Sequence, residues 1–277
     1  MTTHLPMTAA RRITLALGVP AALIVIGWTG LGAVAWAGRG SFPVDFSVPV
    51  HGGRVSVAVG AGTVSVRPGA AGAVKLSGTV HYSLVRPKVG LRSIRSGVAV
   101  DSSCPGLAVS CSFDYSVAVP AVLGTDISVG SGNLSATGLS GQVTLSDQSG
   151  DVRAAGLAGV VQIRSQSGNI TAAALSGPDT RLRDQSGDVS VTSISSPDVT
   201  VSDQSGNITL DFATVPRRVV VTGQSGNITL VLPPGSTAYR VTARTLSGST
   251  ITQVPTSPGS SQVITATTQS GNITIVR

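Results

Sequence analysis

The side chains best placed to do chemistry are hydroxyls, amides and carboxylates gathered in one short recurring motif. Ser-Gly followed by Asn or Asp recurs as Ser131-Gly132-Asn133, Ser149-Gly150-Asp151, Ser167-Gly168-Asn169, Ser186-Gly187-Asp188, Ser205-Gly206-Asn207, Ser225-Gly226-Asn227 and Ser270-Gly271-Asn272. A further copy, Ser247-Gly248-Ser249-Thr250, departs from the pattern. Gln148, Gln166, Gln185, Gln204, Gln224 and Gln269 stand immediately before the Ser. Paired acids, Asp147 with Asp151 and Asp184 with Asp188, suggest calcium, which takes several oxygen ligands. Other copies carry Asn and no paired acid, so no metal and no cofactor is expected. A hydrolytic Ser needs a His beside it, and His4, His51 and His81 all lie outside the motif copies.

The cheaper reading of the motif is a structural turn. Gly takes positive φ without steric cost, Asn and Asp tolerate it better than most residues, and stacked Gln side chains could form an amide ladder. Polysaccharide-cleaving enzymes built on β-helices cluster acids with Arg or Lys on one outer face. Arg153, Arg181 and Asp126 face outward here but do not stack into a cluster, so the chain is not expected to be an enzyme. Thr171, Thr209, Thr229 and Thr274 recur at one outward offset. They read either as good exposed strand residues or as a flat face for an ordered surface.

The motif must be held by strands. The Ser residues are spaced by 18, 18, 19, 19, 20, 22 and 23. Aligned on the Ser, the positions four before (Ile127, Leu145, Ile163, Leu182, Val201, Val221, Ala243, Ala266) and three after (Leu134, Val152, Ile170, Val189, Ile208, Ile228, Thr250, Ile273) are apolar or Thr. Polar residues alternate with them. That is the period of two expected of strands on both sides of a turn. One repeat cannot bury its own apolar face, and stacked repeats bury a continuous core. The expected fold is all-β: a single β-solenoid, parallel β-helix-like, over residues 125–277. The lengthening spacing reads as return loops that grow toward the C-terminus, such as Pro233-Pro234-Gly235 and the stretch 255–261.

Residues 44–124 alternate without repeating and read as an N-terminal β cap over the open end, since bare sheet edges invite aggregation. In that stretch Cys104 and Cys111 flank Pro105-Gly106, and they read as one disulfide across a hairpin loop or as two free thiols.

Upstream, the 26 residues 13–38 contain no charged side chain. That is too long for a signal-peptide core and suits a membrane-spanning helix. Arg11 and Arg12 favour residues 1–12 on the cytoplasmic side and the remainder outside. Ala33-Val34-Ala35 and Ala35-Trp36-Ala37 leave cleavage open. Residues 39–43 read as a linker. The expected location is therefore the cell membrane, single-pass, with the solenoid extracytoplasmic.

Composition agrees. Only 11% of residues are charged, 3% are aromatic, 34 are Gly, and all 12 acids are Asp. Helix formers other than Ala and Leu are scarce. A net charge of +7 raises nucleic acid as a partner. The arginines are scattered, however, and Trp28 and Trp36 lie in the apolar segment, so no stacking platform exists and no nucleic acid is expected.

An apolar N-terminal segment followed by Val119-Pro120 and repeated Ser-Gly-Asp/Asn-aliphatic coils resembles a bacterial family of membrane-anchored "putative adhesin" domains of unknown function, over roughly residues 42–277. The resemblance brings no catalytic residues. It implies an adhesin-like role, binding or sensing an envelope or surface protein or glycan. An exported polysaccharide-active enzyme and a structural stalk of an envelope assembly stand as alternatives.

Overall fold

The computed structural model describes residues 38–50, 52–94, 97–104 and 110–277. Every regular element among them is a strand. The first seven are β1 (Arg39–Pro49), β2 (Arg54–Ala61), β3 (Val64–Pro68), β4 (Ala73–Ser83), β5 (Lys88–Ile94), β6 (Gly97–Ser103) and β7 (Cys111–Val119). The repeats contribute β8 (Gly124–Ser131), β9 (Leu134–Thr137), β10 (Val143–Ser149), β11 (Val152–Ala155), β12 (Val161–Ser167), β13 (Ile170–Ala173), β14 (Asp179–Arg183), β15 (Val189–Ile194), β16 (Asp198–Ser205) and β17 (Ile208–Phe212). Then come β18 (Arg218–Ser225), β19 (Ile228–Val231), β20 (Arg240–Ser247), β21 (Thr250–Thr252), β22 (Val263–Ser270) and β23 (Ile273–Val276).

Each repeat is one coil: a strand before the Ser-Gly turn, a strand after it, and a return. Strands before the turn stack into an 11-stranded sheet, and strands after it into a 12-stranded sheet. The repeats pair in parallel with the Ser residues in register, Ser149 opposite Ser131 and Ser167. The two sheets face each other, and the inward columns fill the space between them. Leu145, Ile163 and Val201 from one sheet and Val152, Ile170 and Ile208 from the other are buried. Each such aliphatic side chain contributes roughly 1.5–3 kcal/mol on burial, and every coil supplies several. The architecture is all-β and solenoid-like, with two large, mostly parallel sheets.

The return also carries a repeat. Leu139, Leu157, Leu175 and Ile194 occupy one buried column at the far edge from the Ser-Gly turns. The backbone there continues coil to coil, Ala158 N–H donating to Leu139 O and Ser176 N–H to Leu157 O, both at 2.9 Å. The sequence signal was Gly-Leu-x-Gly at 138–141 and 156–159, then Leu-Ser-Gly at 175–177.

Two boundaries and the reading of the Ser spacing differ from the sequence expectation. Residues 39–43 are not a linker but the start of β1. The solenoid does not start at 125: β2 and β3 form a coil paired in parallel with β8 and β9, with Ala61 opposite Ser131 and Val64 opposite Leu134. Its turn, Ala61-Gly62-Thr63, keeps the glycine and its positive φ (129°) but neither the Ser nor the Asn, so it escaped the pattern. The growing Ser spacing is not simply longer returns. The last two coils are stacked out of chain order, β22 and β23 lying between β18/β19 and the outermost β20/β21. The long connections are the cost of skipping a level and coming back.

The N-terminal end is closed differently. β6 and β7 form a coil parallel to β2 and β3. Beyond them β4 and β5 run antiparallel, and β1 pairs antiparallel with β4 as the edge of its sheet. Pro43 and Pro49 are tolerated in β1 because an edge strand has N–H groups that need no ladder partner. Cys104 and Cys111 form a disulfide with Cα atoms 6.1 Å apart. It joins the end of β6 to the start of β7, on the same edge as the Ser-Gly turns. Apart from Gly38, the apolar segment 13–38 lies outside the described residues, as do residues 1–12. Among the described residues no helix is long and apolar enough to cross a membrane.

Candidate functional site

The Ser-Gly-Asn/Asp column is a continuous ladder. Gly150 takes φ +149°, and a Cβ there would sit 1.8 Å from Gly132 O on the coil below. Glycine is therefore required both by conformation and by the closeness of the stacked turns. The Asn and Asp residues play a different part from the one expected. None has positive φ. Instead each side chain accepts a hydrogen bond from the backbone N–H of its counterpart on the next coil. Asn133 Oδ1 accepts from Asp151 N at 3.2 Å, Asp151 Oδ1 from Asn169 N at 3.1 Å, and Asn169 Oδ1 from Asp188 N at 3.0 Å. Asp188 Oδ1 accepts from Asn207 N at 2.8 Å, and Asn207 Oδ1 from Asn227 N at 3.1 Å. The series then jumps to Asn272 N on Asn227 Oδ1 and ends with Ser249 N on Asn272 Oδ1, both at 2.9 Å. Ser249 departs from the pattern because its coil is last in space and has no further N–H to receive. The amide ladder thus belongs to the Asn/Asp column. No Gln side chain of the motif bonds another among the described residues, and these side chains point to solvent.

Two positions before the Ser, the chain buries carboxylates. Asp147, Asp184 and Asp203 are each at most 4% exposed. Asp184 Oδ1 accepts from Gln185 N at 2.8 Å, and Asp203 Oδ1 accepts from Ser205 N at 3.3 Å. The other oxygen of each, and both oxygens of Asp147, have no hydrogen-bond partner among the described residues. Burial pushes Asp147 up to about 6 and Asp203 up to about 6, the latter with help from neighbouring Asp184. Asp184 is raised by the same burial. Ser165 and Thr268 fill this column in other coils. Calcium gains no support: among the described residues no three His, Cys, Asp or Glu side chains gather in a metal-binding group.

Over this buried row runs a surface groove of about 600 Å³ that crosses successive coils of the 11-stranded sheet, with Asp147, Asp184 and Asp203 among its lining. One wall is the outward position three before the Ser: Ser128, Ser146, Arg164, Arg183, Ser202 and Thr222. The other is the glutamine row Gln148, Gln166, Gln185, Gln204 and Gln224. Arg164 and Arg183 are directly paired across adjacent coils. They are exposed, and among the described residues neither forms an ion pair. The outward residues singled out from the sequence behave differently. Arg153 pairs with Asp151, Arg181 with Asp179, and Asp126 with Arg54 at 2.7 Å, so each is already neutralised. Thr171, Thr209, Thr229 and Thr274 do line up on the other sheet, interrupted by Ser190. The groove arginines had a sequence signal, since 164 and 183 share one alignment column, but their lack of an ion pair among the described residues needed the structure.

No curated protein matches the chain. Among solved structures it is similar to a "putative adhesin" from Bacteroides fragilis, with 10% identity, TM-score 0.42 and coverage of 85% of this chain and 96% of that one. A "putative cell adhesion protein" from Clostridium sporogenes gives 13% identity, TM-score 0.31 and coverage of 85% and 99%. A "putative lipid binding protein" from Parabacteroides distasonis gives 12% identity, TM-score 0.40 and coverage of 85% and 97%. The Toastrack DUF4097 family model matches residues 116–276, more than half of the chain and all but the first of the repeated coils, and the protein belongs to that family.

Proposed function

We propose that the protein is a membrane-anchored, extracytoplasmic binding module that holds an envelope or surface partner along the groove of the 11-stranded sheet, and that it is not an enzyme. The observation that carries this reading is the pair of adjacent guanidiniums, Arg164 and Arg183, exposed and without an ion pair among the described residues, set in a row of hydroxyls opposite a row of amides above the buried aspartates. Coils repeat at about 4.8 Å, so the walls present polar groups at regular intervals along a line. An extended polymer carrying hydroxyls and anionic groups, such as an acidic glycan, meets such a line many times. Guanidinium recognises carboxylate, sulfate or phosphate in a bidentate manner. The uncharged apolar segment 13–38 supports the anchor.

The test uses the full chain in detergent and purified glycans, anionic and neutral. Retention of anionic glycans that falls roughly tenfold or more in Arg164→Gln/Arg183→Gln is the expected result. Equal retention by the variant rules the groove out. New reducing ends would favour the polysaccharide-active alternative. A stable protein complex on mild detergent extraction, with no glycan retained, would favour the stalk. Protease treatment of intact protoplasts carrying a C-terminally tagged chain tests the orientation, and a protected tag overturns it.

A further inference from the structure

A solenoid has an apolar interior that must be closed at both ends, and at the N-terminal end the closing edge leaves Phe42 and Phe46 only half-buried. Edge strands β1 and β5 belong to different sheets, and between them lies an open surface depression of about 600 Å³. Its lining includes Phe42, Val44, Phe46 and Val89, the inward residues of the two edges, with Arg86 and Lys88 at the rim. The Arg86 guanidinium lies 3.9 Å above the Phe42 ring centroid. The acid that lines the depression, Asp45, is engaged by Lys75 at 3.2 Å. The β4–β5 turn beside it presents Leu84 and Val85 to solvent, 41% and 36% exposed. Leu84 holds φ +66°, a conformation that a bulky residue adopts only when its surroundings impose it.

The position of this end supplies the occupant. Leu84 N–H donates to Gly38 O at 3.0 Å, and Gly38 is the last residue of the uncharged segment 13–38. Exposed aliphatics, half-buried aromatics and cations with no ion pair among the described residues therefore sit where the chain leaves its apolar segment. Arg39 adds a further positive charge there. We propose that this end of the molecule rests on the bilayer and takes an anionic phospholipid, its acyl chain against Phe42 and Phe46 and its phosphate between Arg86 and Lys88. The proposal rests on the membrane-anchor reading and is independent of the groove.

The experiment uses the full chain with Trp28→Phe and Trp36→Phe, reconstituted into vesicles of phosphatidylcholine with or without phosphatidylglycerol. Val85→Trp reports on the proposed face and Leu246→Trp on the opposite end. Both positions are exposed, so neither substitution enters the core. With acyl-brominated lipids, the reporter at position 85 is expected to be quenched and that at 246 not. Brominated phosphatidylglycerol should outcompete brominated phosphatidylcholine, and Arg86→Gln/Lys88→Gln should reduce that preference by roughly tenfold or more. A chain that does not float with the vesicles overturns the anchor, and this proposal with it. A chain that floats with position 85 no more quenched than 246, or with a lipid preference that ignores the double variant, overturns this proposal alone.

Discussion

At the scale of single residues, the turn column shows how stacking imposes more than local conformation does. A Cβ at Gly168 would lie 2.0 Å from Gly150 O, and its φ is +133°. Gly168→Ala is therefore expected to cost about 3 kcal/mol or more, since backbone on two adjacent coils must move; thermal melts read this directly. Asn169→Ala removes the acceptor for Asp188 N–H and should cost about 1 kcal/mol. The buried carboxylates run the other way. The folded state raises Asp147 from 3.8 to about 6, so it binds the proton more tightly than the unfolded chain. That contribution to stability is present below about 4 and is lost as pH rises to about 6 and beyond. The same sign holds for Asp203 and Asp184. Asp147→Asn should raise stability at neutral pH by roughly 1–2 kcal/mol and flatten the fall between acidic and neutral pH. A variant that is less stable than the parent at pH 7.5 would show that the carboxylate has a partner in solution.

At the scale of elements, the order of coils in space controls local stability. β20 and β21 are edge strands although two more strands follow them in the chain. Leu246 is 87% exposed and Ile251 46%, while Ile264 and Ile273 on the coil beneath are fully buried. Amide hydrogen exchange should therefore be faster across 240–252 than across 263–276, by the logic that opening starts where contacts are fewest. Equal or reversed protection would mean that the last coil in sequence is also last in space. The Asn/Asp ladder, passing from Asn227 to Asn272 and only then to Ser249, is the side-chain counterpart of that order.

For the whole molecule, stability is a sum over coils and their interfaces, and the two ends are built to opposite designs. The N-terminal end adds antiparallel strands and a disulfide, whereas the C-terminal end exposes a parallel coil with Arg240 and Arg244 on its edge strand, charges of the kind that discourage edge pairing. Deleting residues 263–277 would remove an interior coil, not a terminal one. It is expected to expose the β18/β19 core and strand β20/β21 without a neighbour, with a loss of cooperative unfolding. Deleting only Arg277, which bonds Thr237 O at 2.8 Å, should shift the melt little. A cooperative melt close to that of the parent in the larger deletion would contradict the inverted order.

The sequence by itself determined the repeat, the strand–turn–strand unit, the inward columns and the all-β class, because period-two alternation and an obligatory glycine are local demands that each coil states for itself. It also placed Gly at every Ser-Gly turn for a reason that survives, positive φ. What stayed hidden depended on neighbours distant in the chain. The coil at Ala61-Gly62-Thr63 had lost every motif letter but the glycine. The role of Asn and Asp is defined only by the N–H of the next coil. That Arg164 and Arg183 form no ion pair among the described residues follows from where the acids of other coils fall. The inverted order of the last two coils leaves each coil's own pattern unchanged, since parallel rungs with the same register are interchangeable locally, and only packing in three dimensions selects which one lies outermost.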